Sequence, residues 1–469
     1  MIFPMKIAPP PFVLLSVVVL LGISAEAKTE LRVGKAVVDI TPIEGTPMQA
    51  PQRPPFEIKL SEPAHDPLQI KAVILEVDGR KAALVVCDLT SIPNRIIEAA
   101  RRTIEETTDI DPMTVMISAT HTHTAPQIRP RFVTKANAEA RRKTTEYVEQ
   151  LPARIAEAIQ RANENLVVAE ASAAFGYEDA VSFNRRFQMR DGTIATNPGK
   201  TDPMLLGKII RPDGPIDPQI GVVTFHKLTG DPLATLVNFC IHLDTIGGNR
   251  PSADFPYQMS KLIAEVLGPD LLTSFVAGAS GNINHYDLLR TDRIHRRKDA
   301  QEAARIGTIL AADVLKAYRQ RESLKIGSLR IKREVVRLSM PPEKGRRIAD
   351  QYGNSTQFFD GEVEVFNHDG VQQFDAEVLV IALGDDLAWV SFPGELFVEL
   401  GLALKQASPF RFTMIHTLTN GAIGYVPNLK AHSSGAYEGT ASRCDPGSGE
   451  HLINVATRLL IELKRPNES

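Results

Sequence analysis

Apolar hairpins, each followed by an amphipathic helix and a further apolar strand, punctuate this chain, and that succession restricts the available folds more than any other feature. Ile70 to Val77 and Ala82 to Cys87 flank the turn Asp78-Gly79-Arg80, which reads as two antiparallel strands. Past Pro93, Ile96, Ile97, Ala100 and Ile104 recur at helical spacing and lead into a strand from Thr114 to Ser118. The pattern returns without a repeat of sequence. Ile220 to His226 and Leu233 to His242 flank Gly230-Asp231-Pro232, Met259, Leu262, Ile263 and Val266 mark a helix, and Leu271 to Ala277 reads as a buried strand. A hairpin through Gly384-Asp385-Asp386 then precedes a helix from Leu396 to Gln406 and a strand from Phe412 to Leu418. Around these lie a strand from Leu31 to Ile40, a helix from Glu146 to Asn163 with Pro152 inside it, and a strand from Val167 to Phe175. A helix from Ala300 to Tyr318, a strand from Ile326 to Leu338 and a closing helix after Glu450 complete the reading. Such mixing predicts an α/β fold of mixed β-sheets flanked by helices. No low-complexity linker divides the chain, and the candidate site residues span most of its length, so a single large catalytic domain is expected over residues 28–469.

Residues 1–27 read as a secretory signal peptide: Lys6 precedes an apolar run from Phe12 to Ile23, and Ala25-Glu26-Ala27 forms a small-residue cleavage site. The run is shorter than the about 20 apolar residues that span a bilayer. A secreted or periplasmic protein without a permanent membrane span is expected. Cys87, Cys240 and Cys444 are too few and too scattered for a disulfide framework or a zinc ribbon, so stability must come from a large core. The formal charge is −3, and loss of Lys6 and Glu26 leaves it unchanged. With no basic stripe interleaved with aromatics, nucleic acid is not expected as a partner. The densest basic run, Arg293 to Lys298, reads as a solvated helix start, with contact to an anionic ligand or a membrane surface left open.

Four apolar strands stop at polar residues able to carry chemistry. The first runs into Thr120-His121-Thr122-His123, where, on an extended backbone, residues two apart share a face and the two imidazoles can serve one site in different roles. The others end at His242, at Glu395 after Phe392-Pro393-Gly394, and at Asn420 running on to Tyr425. Sites in α/β folds gather where strands end, so these residues can converge. Two histidines, a glutamate and a tyrosine make a nitrogen and oxygen donor set that zinc accepts. Taken singly, each has an ordinary reading too: an acid such as Glu395 at a helix start complements the helix dipole with no metal.

Ser118-Ala119-Thr120-His121-Thr122-His123, Asn238-Phe239-Cys240-Ile241-His242, Pro393-Gly394-Glu395, Asn420-Gly421-Ala422-Ile423-Gly424-Tyr425 and Tyr437-Glu438-Gly439 resemble, in order, the signature segments of the neutral, non-lysosomal ceramidases. Ser182-Phe183-Asn184-Arg185 resembles that family's arginine motif, and Phe275 to Asn282 its asparagine-containing strand end. The resemblance implies one zinc ion and hydrolysis of an N-acyl amide, with His121, His242, Glu395 and Tyr425 as metal ligands. It implies His123, Arg185 and Tyr437 as catalytic residues beside them. A secondary amide is a poor electrophile with a poor leaving group, and zinc meets the first need by lowering the pKa of a bound water from about 15.7 to about 7. Arg185 and the Tyr437 hydroxyl are expected to face the carbonyl oxygen as it gains charge, rather than to sit in structural ion pairs. His123 is expected to move a proton to the leaving amine. Asn238 is expected to hold backbone rather than substrate.

The chain departs from the family at two loops. Thr124-Ala125-Pro126-Gln127-Ile128 stands where the family has Ser-Gly-Pro-Gly-Gly, and Leu243-Asp244-Thr245-Ile246-Gly247-Gly248 where it has Pro-x-Ser-Met-Asn. The family's C-terminal immunoglobulin-like domain, about 100 residues for such a fold, is not expected here. These departures favour a pocket open to a smaller or more polar amide than ceramide. The expected partner is a small-molecule N-acyl amide or lipid; another amide or ester, or a non-catalytic binding role on the same scaffold, are the alternatives. Ser280 lies in Gly278-Ala279-Ser280-Gly281 rather than in the Gly-x-Ser-x-Gly elbow of serine hydrolases. Cys444 heads a sulfatase-like segment that carries Ser448 where arginine is required.

Overall fold

Strand β1 (Leu31–Asp39) pairs antiparallel with β2 (Gln69–Val77), which turns into β3 (Arg80–Cys87) through Asp78 and Gly79, both at positive φ, the geometry of a tight type I′ hairpin. The computed structural model describes residues 1, 29–49, 58–129, 133, 136–200, 202–290, 298–341, 365–368 and 371–465. The signal-peptide reading of residues 2–27 lies outside them. Among the described residues, no helix is long and apolar enough to cross a membrane.

Helix α1 (Asn94–Thr107) returns the chain from β3 to β4 (Val115–Ala119), parallel to β3. Helix α2 (Ala138–Glu164) starts well before the expected Glu146, because the Asn137 side chain caps it by accepting from Ala140 N at 2.8 Å. After β5 (Val167–Tyr177) the motif recurs. The hairpin β6 (Gln219–Lys227) and β7 (Pro232–Phe239) is followed by α3 (Phe255–Leu267) and by β8 (Leu272–Ala277), parallel to β7. These strands form one sheet in the order β8-β7-β6-β5-β1-β2-β3-β4, with the short strand Glu322–Ser323 added on β5. Helix α4 (Ala300–Arg319) is capped by Asp299, so it begins just beyond the basic run; of that run only Lys298 is described.

A second sheet holds β9 (Leu329–Met340), β10 (Val371–Leu383), β11 (Leu387–Ser391) and β12 (Phe412–His416), and α5 (Val398–Ala407) joins β11 to its parallel neighbour β12. Two short helices, α6 (Leu429–Ser434) and α7 (Ala436–Ala441), precede the closing helix α8 (Ser448–Lys464).

Period-two alternation sorts the side chains into layers. On β2, Ile70, Ala72 and Ile74 pack with α1 and α2, whereas Val73, Leu75 and Val77 meet Leu379, Ile381 and Trp389 of the second sheet. On β10, Phe374, Ala376, Val378 and Val380 turn the other way, toward α5 and α8. Helices α3 and α4 cover β6 to β8. The result is one fold of four layers, helix, sheet, sheet, helix, as expected for mixed sheets flanked by helices. Cys87, Cys240 and Cys444 are all buried within it.

Two strands stop earlier than their apolar runs suggest. β7 ends at Phe239, because its partner β8 ends opposite it at Ala277 and Gly278 N closes the ladder on Phe239 O. β12 ends at His416. His242 and the segment leading to Tyr425 therefore lie in turns beyond strand ends, where side chains can aim sideways. Each parallel pair, β3/β4, β7/β8 and β11/β12, sends at least one candidate residue past its carboxyl end.

Candidate metal centre

The chain does not stay extended past β4. His121 has φ +73°, so the alternation expected to bring His121 and His123 to one face does not hold; a left-handed turn at His121 brings them together instead. A non-glycine residue held there carries strain of about 1–3 kcal/mol, which the surroundings must over-determine. His121 N donates to Leu89 O at 2.9 Å and His123 N to Leu243 O at 3.0 Å, so the turn is tied on both sides. The rings of His121 and His123 are 4.8 Å apart at 84°, and the His242 ring lies 4.4 Å from the first and 5.2 Å from the second.

Second partners set the tautomers. His121 Nδ1 meets Thr90 O at 2.6 Å and His242 Nδ1 meets Ser280 O at 3.4 Å; a carbonyl only accepts, so both Nδ1 atoms carry the proton. Each Nε2 is then a lone pair, and the two face each other at 3.0 Å, with His123 Nε2 3.4 Å from His121 Nε2. Two nitrogens on one tetrahedral zinc, each at about 2.0–2.1 Å, stand about 3.3 Å apart. The three histidines present nitrogens within 4.8 Å of one another and are able to hold a metal ion. His123, expected from the sequence to share one site with His121 in a proton-transfer role, stands in the same cluster of nitrogens.

Glu395 opens a two-residue strand paired in parallel with Tyr425, so the two stand side by side. Helix α5 begins only at Val398, after the N-cap Phe397, so Glu395 is not spent on the helix dipole. Its Oε2 lies 3.5 Å from His121 Nε2 and, though buried, accepts no hydrogen bond among the described residues. A buried carboxylate oxygen without a donor, aimed at facing imidazole lone pairs, is the pattern a cation resolves. Burial works against ionisation of Glu395, but His121, Arg185 and His123 outweigh it and hold the carboxyl below its ordinary value. Burial, and then Glu395, push the Tyr425 phenol well above its usual pKa. Burial also drives His242 well below the ordinary imidazole value. The His123 side chain is 32% exposed, yet burial of its ring depresses its pKa to about 4, against the pull of Asp244.

The remaining two residues flank Tyr425. The Arg185 guanidinium lies 5.4 Å from the Tyr425 ring centre, and the Tyr437 ring stands edge-on to Tyr425 at 5.5 Å. Arg185 departs from expectation in one respect, since it also sits in a buried ion pair. Its Nε donates to Glu438 Oε1 at 2.8 Å and its NH2 to Gly281 O at 2.6 Å. Glu438 is fully buried and also accepts from Arg186 at 3.1 Å and Thr196 at 2.7 Å. Burial opposes the Arg185 charge, and Tyr425, Glu438 and Glu395 overcome it, leaving its pKa raised. A guanidinium has five donors, so the ion pair orients Arg185 without exhausting it. Gly281 makes this packing possible: a Cβ there would fall 2.4 Å from Glu395 O.

Asn238 behaves as expected. Its Nδ2 donates to Val276 O at 3.1 Å and Ile415 O at 2.8 Å, and its Oδ1 accepts from Ile415 N at 3.1 Å, lacing β7 to β8 and β12. Ser280 serves the site through its backbone carbonyl. Glu438, beside Tyr437 in sequence, and Asp244, two residues past His242, were not singled out by sequence as functional. Their positions within the Tyr437-Glu438-Gly439 segment and the altered loop were the only signals.

No protein-family model matches the sequence, and no curated protein matches it. Among solved structures the chain is similar to neutral ceramidase from Pseudomonas aeruginosa, with a TM-score of 0.71 and 17% identity over 93% of this chain and 75% of that one. It is also similar to a ceramidase complexed with C2, with a TM-score of 0.71 and 16% identity over 94% of this chain and 76% of that one. At this identity the shared property is the fold.

Proposed function

We propose that this protein is an exported zinc-dependent hydrolase that cleaves an N-acyl amide, in the manner of the ceramidases whose fold it shares. One observation carries the reading: the facing Nε2 atoms of His121 and His242, 3.0 Å apart, beside the buried, unsatisfied Oε2 of Glu395. His121, His242, Glu395 and Tyr425 would hold the ion. When bound, the metal supplies Lewis acidity toward water and the amide carbonyl.

The chain's own groups do the rest. Thr90 O and Ser280 O fix the tautomers that point Nε2 inward. His123, neutral at pH 7 with a pKa of about 4, accepts a proton from water and returns it to the leaving nitrogen. Arg185, oriented by Glu438, and the Tyr437 hydroxyl would offer donors to the carbonyl oxygen as negative charge grows. The leader-like residues 1–27 support export.

Metal analysis of the purified chain, paired with hydrolysis of long-chain ceramide and of short N-acyl amines, tests the reading. His121→Ala should lose the metal, whereas His123→Ala should keep it and lose roughly 10²–10⁴ in rate. Metal loss from both variants would make His123 a ligand. An active wild type without metal would sink the proposal.

A further inference from the structure

The roles above leave one cluster at the edge of the centre without a task. Asp244 stands two residues past His242, in the loop that departs from the ceramidase pattern, and its side chain is 16% exposed. Lys298 forms an ion pair with its Oδ1, and Lys200 Nζ lies 3.6 Å from its Oδ2. His123 Nδ1 is 3.9 Å from the same carboxylate.

One carboxylate thus gathers two ammonium groups from distant parts of the chain, and an ordinary ion pair needs only one. The second cation brings repulsion: burial lowers the Lys200 pKa, Asp244 opposes this, and Lys298 and Arg185 lower it further. Both stems are nonetheless seated. Lys200 Nζ lies 4.9 Å from the ring centre of buried Tyr286. The stem of Lys298 crosses Gly247, where a Cβ would come within 3.0 Å of Cε. The lysine side chains stay 44% and 35% exposed, within reach of a ligand. Each ammonium has three donors; Lys298 gives one to Asp244, while Lys200 pairs with it only as a charge at 3.6 Å, so the cluster keeps one net positive charge and spare donors.

His123 links this cluster to the metal centre, with Nε2 toward His121 and Nδ1 toward Asp244. The leaving amine must approach His123 to receive its proton, so the amine half of the substrate lies toward the lysines. We infer that Lys200 and Lys298 hold an anionic group, a carboxylate, sulfonate or phosphate, carried on the amine half of the amide substrate. This rests on the amide-hydrolase reading above.

The test compares two amides that share an acyl chain and differ in the end group of the amine half, the anionic N-lauroylglycine and the neutral N-lauroylethanolamine, on the zinc-loaded full chain. The anionic amide should be cleaved with the higher kcat/KM, and its advantage should shrink as salt screens the lysines. Lys200→Met and Lys298→Met should each lower kcat/KM for N-lauroylglycine about fivefold more than for the neutral amide, the size expected of one exposed charge pair. Equal rates on both amides, or preference for the neutral one, would overturn the inference while leaving the hydrolase reading intact. If neither amide is cleaved, calorimetric binding of N-lauroylglycine still decides: the double lysine variant should bind at least tenfold more weakly than wild type, and equal affinity would reject the lysine site.

Discussion

Replacing Asn420 by alanine should loosen the strand that delivers His121. β4 is the terminal strand of its sheet, and its free edge is closed by the segment from Leu418 to Asn420, which bridges Ser118 through Thr419 and takes Ala119 N on Leu418 O at 3.1 Å. The Asn420 side chain completes the closure. Its Oδ1 accepts from Ile117 N at 2.8 Å, and its Nδ2 donates to Val115 O at 2.9 Å and Glu377 Oε1 at 2.8 Å. Glu377 keeps Arg101 and Arg333 after the change, but the buried Ile117 N–H and Val115 C=O lose their partners. At about 1–3 kcal/mol for each of the two unsatisfied buried groups, and about 1–2 kcal/mol for alanine at the φ of +56° that asparagine tolerates, the loss comes to about 3–8 kcal/mol. With an unfolding entropy of about 2.1 cal/mol/K per residue, the 469-residue chain has about 1 kcal/mol/K, so Tm should fall by about 3–8 °C. The same variant should release metal faster to a chelator, since β4 leads straight into the His121 turn. Calorimetry and timed chelation measure both effects. A Tm within 1 °C of wild type, with metal retention unchanged, would refute the role given to this side chain.

Arg185→Lys and Tyr437→Phe should each lower kcat by roughly 10²–10³ with metal content unchanged; full activity in both would mean that other groups stabilise the oxyanion. Gly281→Ala should cost stability and activity together, because the new Cβ meets backbone at 2.4 Å and separates Glu395 from Arg185; a stable, active variant would contradict the packing. His416 is buried, and burial depresses its pKa from 6.5 to about 3. Between those values the unfolded chain holds a proton that the native chain does not, so its contribution is full above pH 6.5 and is lost as pH falls toward 3, by up to about 5 kcal/mol at 1.36 kcal/mol per pH unit. The acid-induced fall in Tm between pH 7 and 4 should be smaller in His416→Gln; an identical fall would assign it to other groups.

The order of hairpin, helix and strand was legible in the sequence, because apolar periodicity records which face of each element meets the core. Val73, Leu75 and Val77 against Ile70, Ala72 and Ile74 already state that β2 has two buried faces, and turn residues such as Asp78-Gly79 state where it reverses. The residue types at the ends of four strands likewise announced a polar site. Where those ends point was not legible. The left-handed turn at His121 depends on Leu89 and Leu243 holding it, and the freedom of Glu395 from the α5 dipole depends on its pairing with Tyr425. Glu438 on Arg185, and Lys200 with Lys298 on Asp244, are contacts between residues far apart in the chain, with no periodicity to mark them. Hydrophobic burial is written locally, one residue at a time, so the sequence determined the layers. Hydrogen bonds and ion pairs depend on the direction and distance between two partners, so only the tertiary structure decided the site.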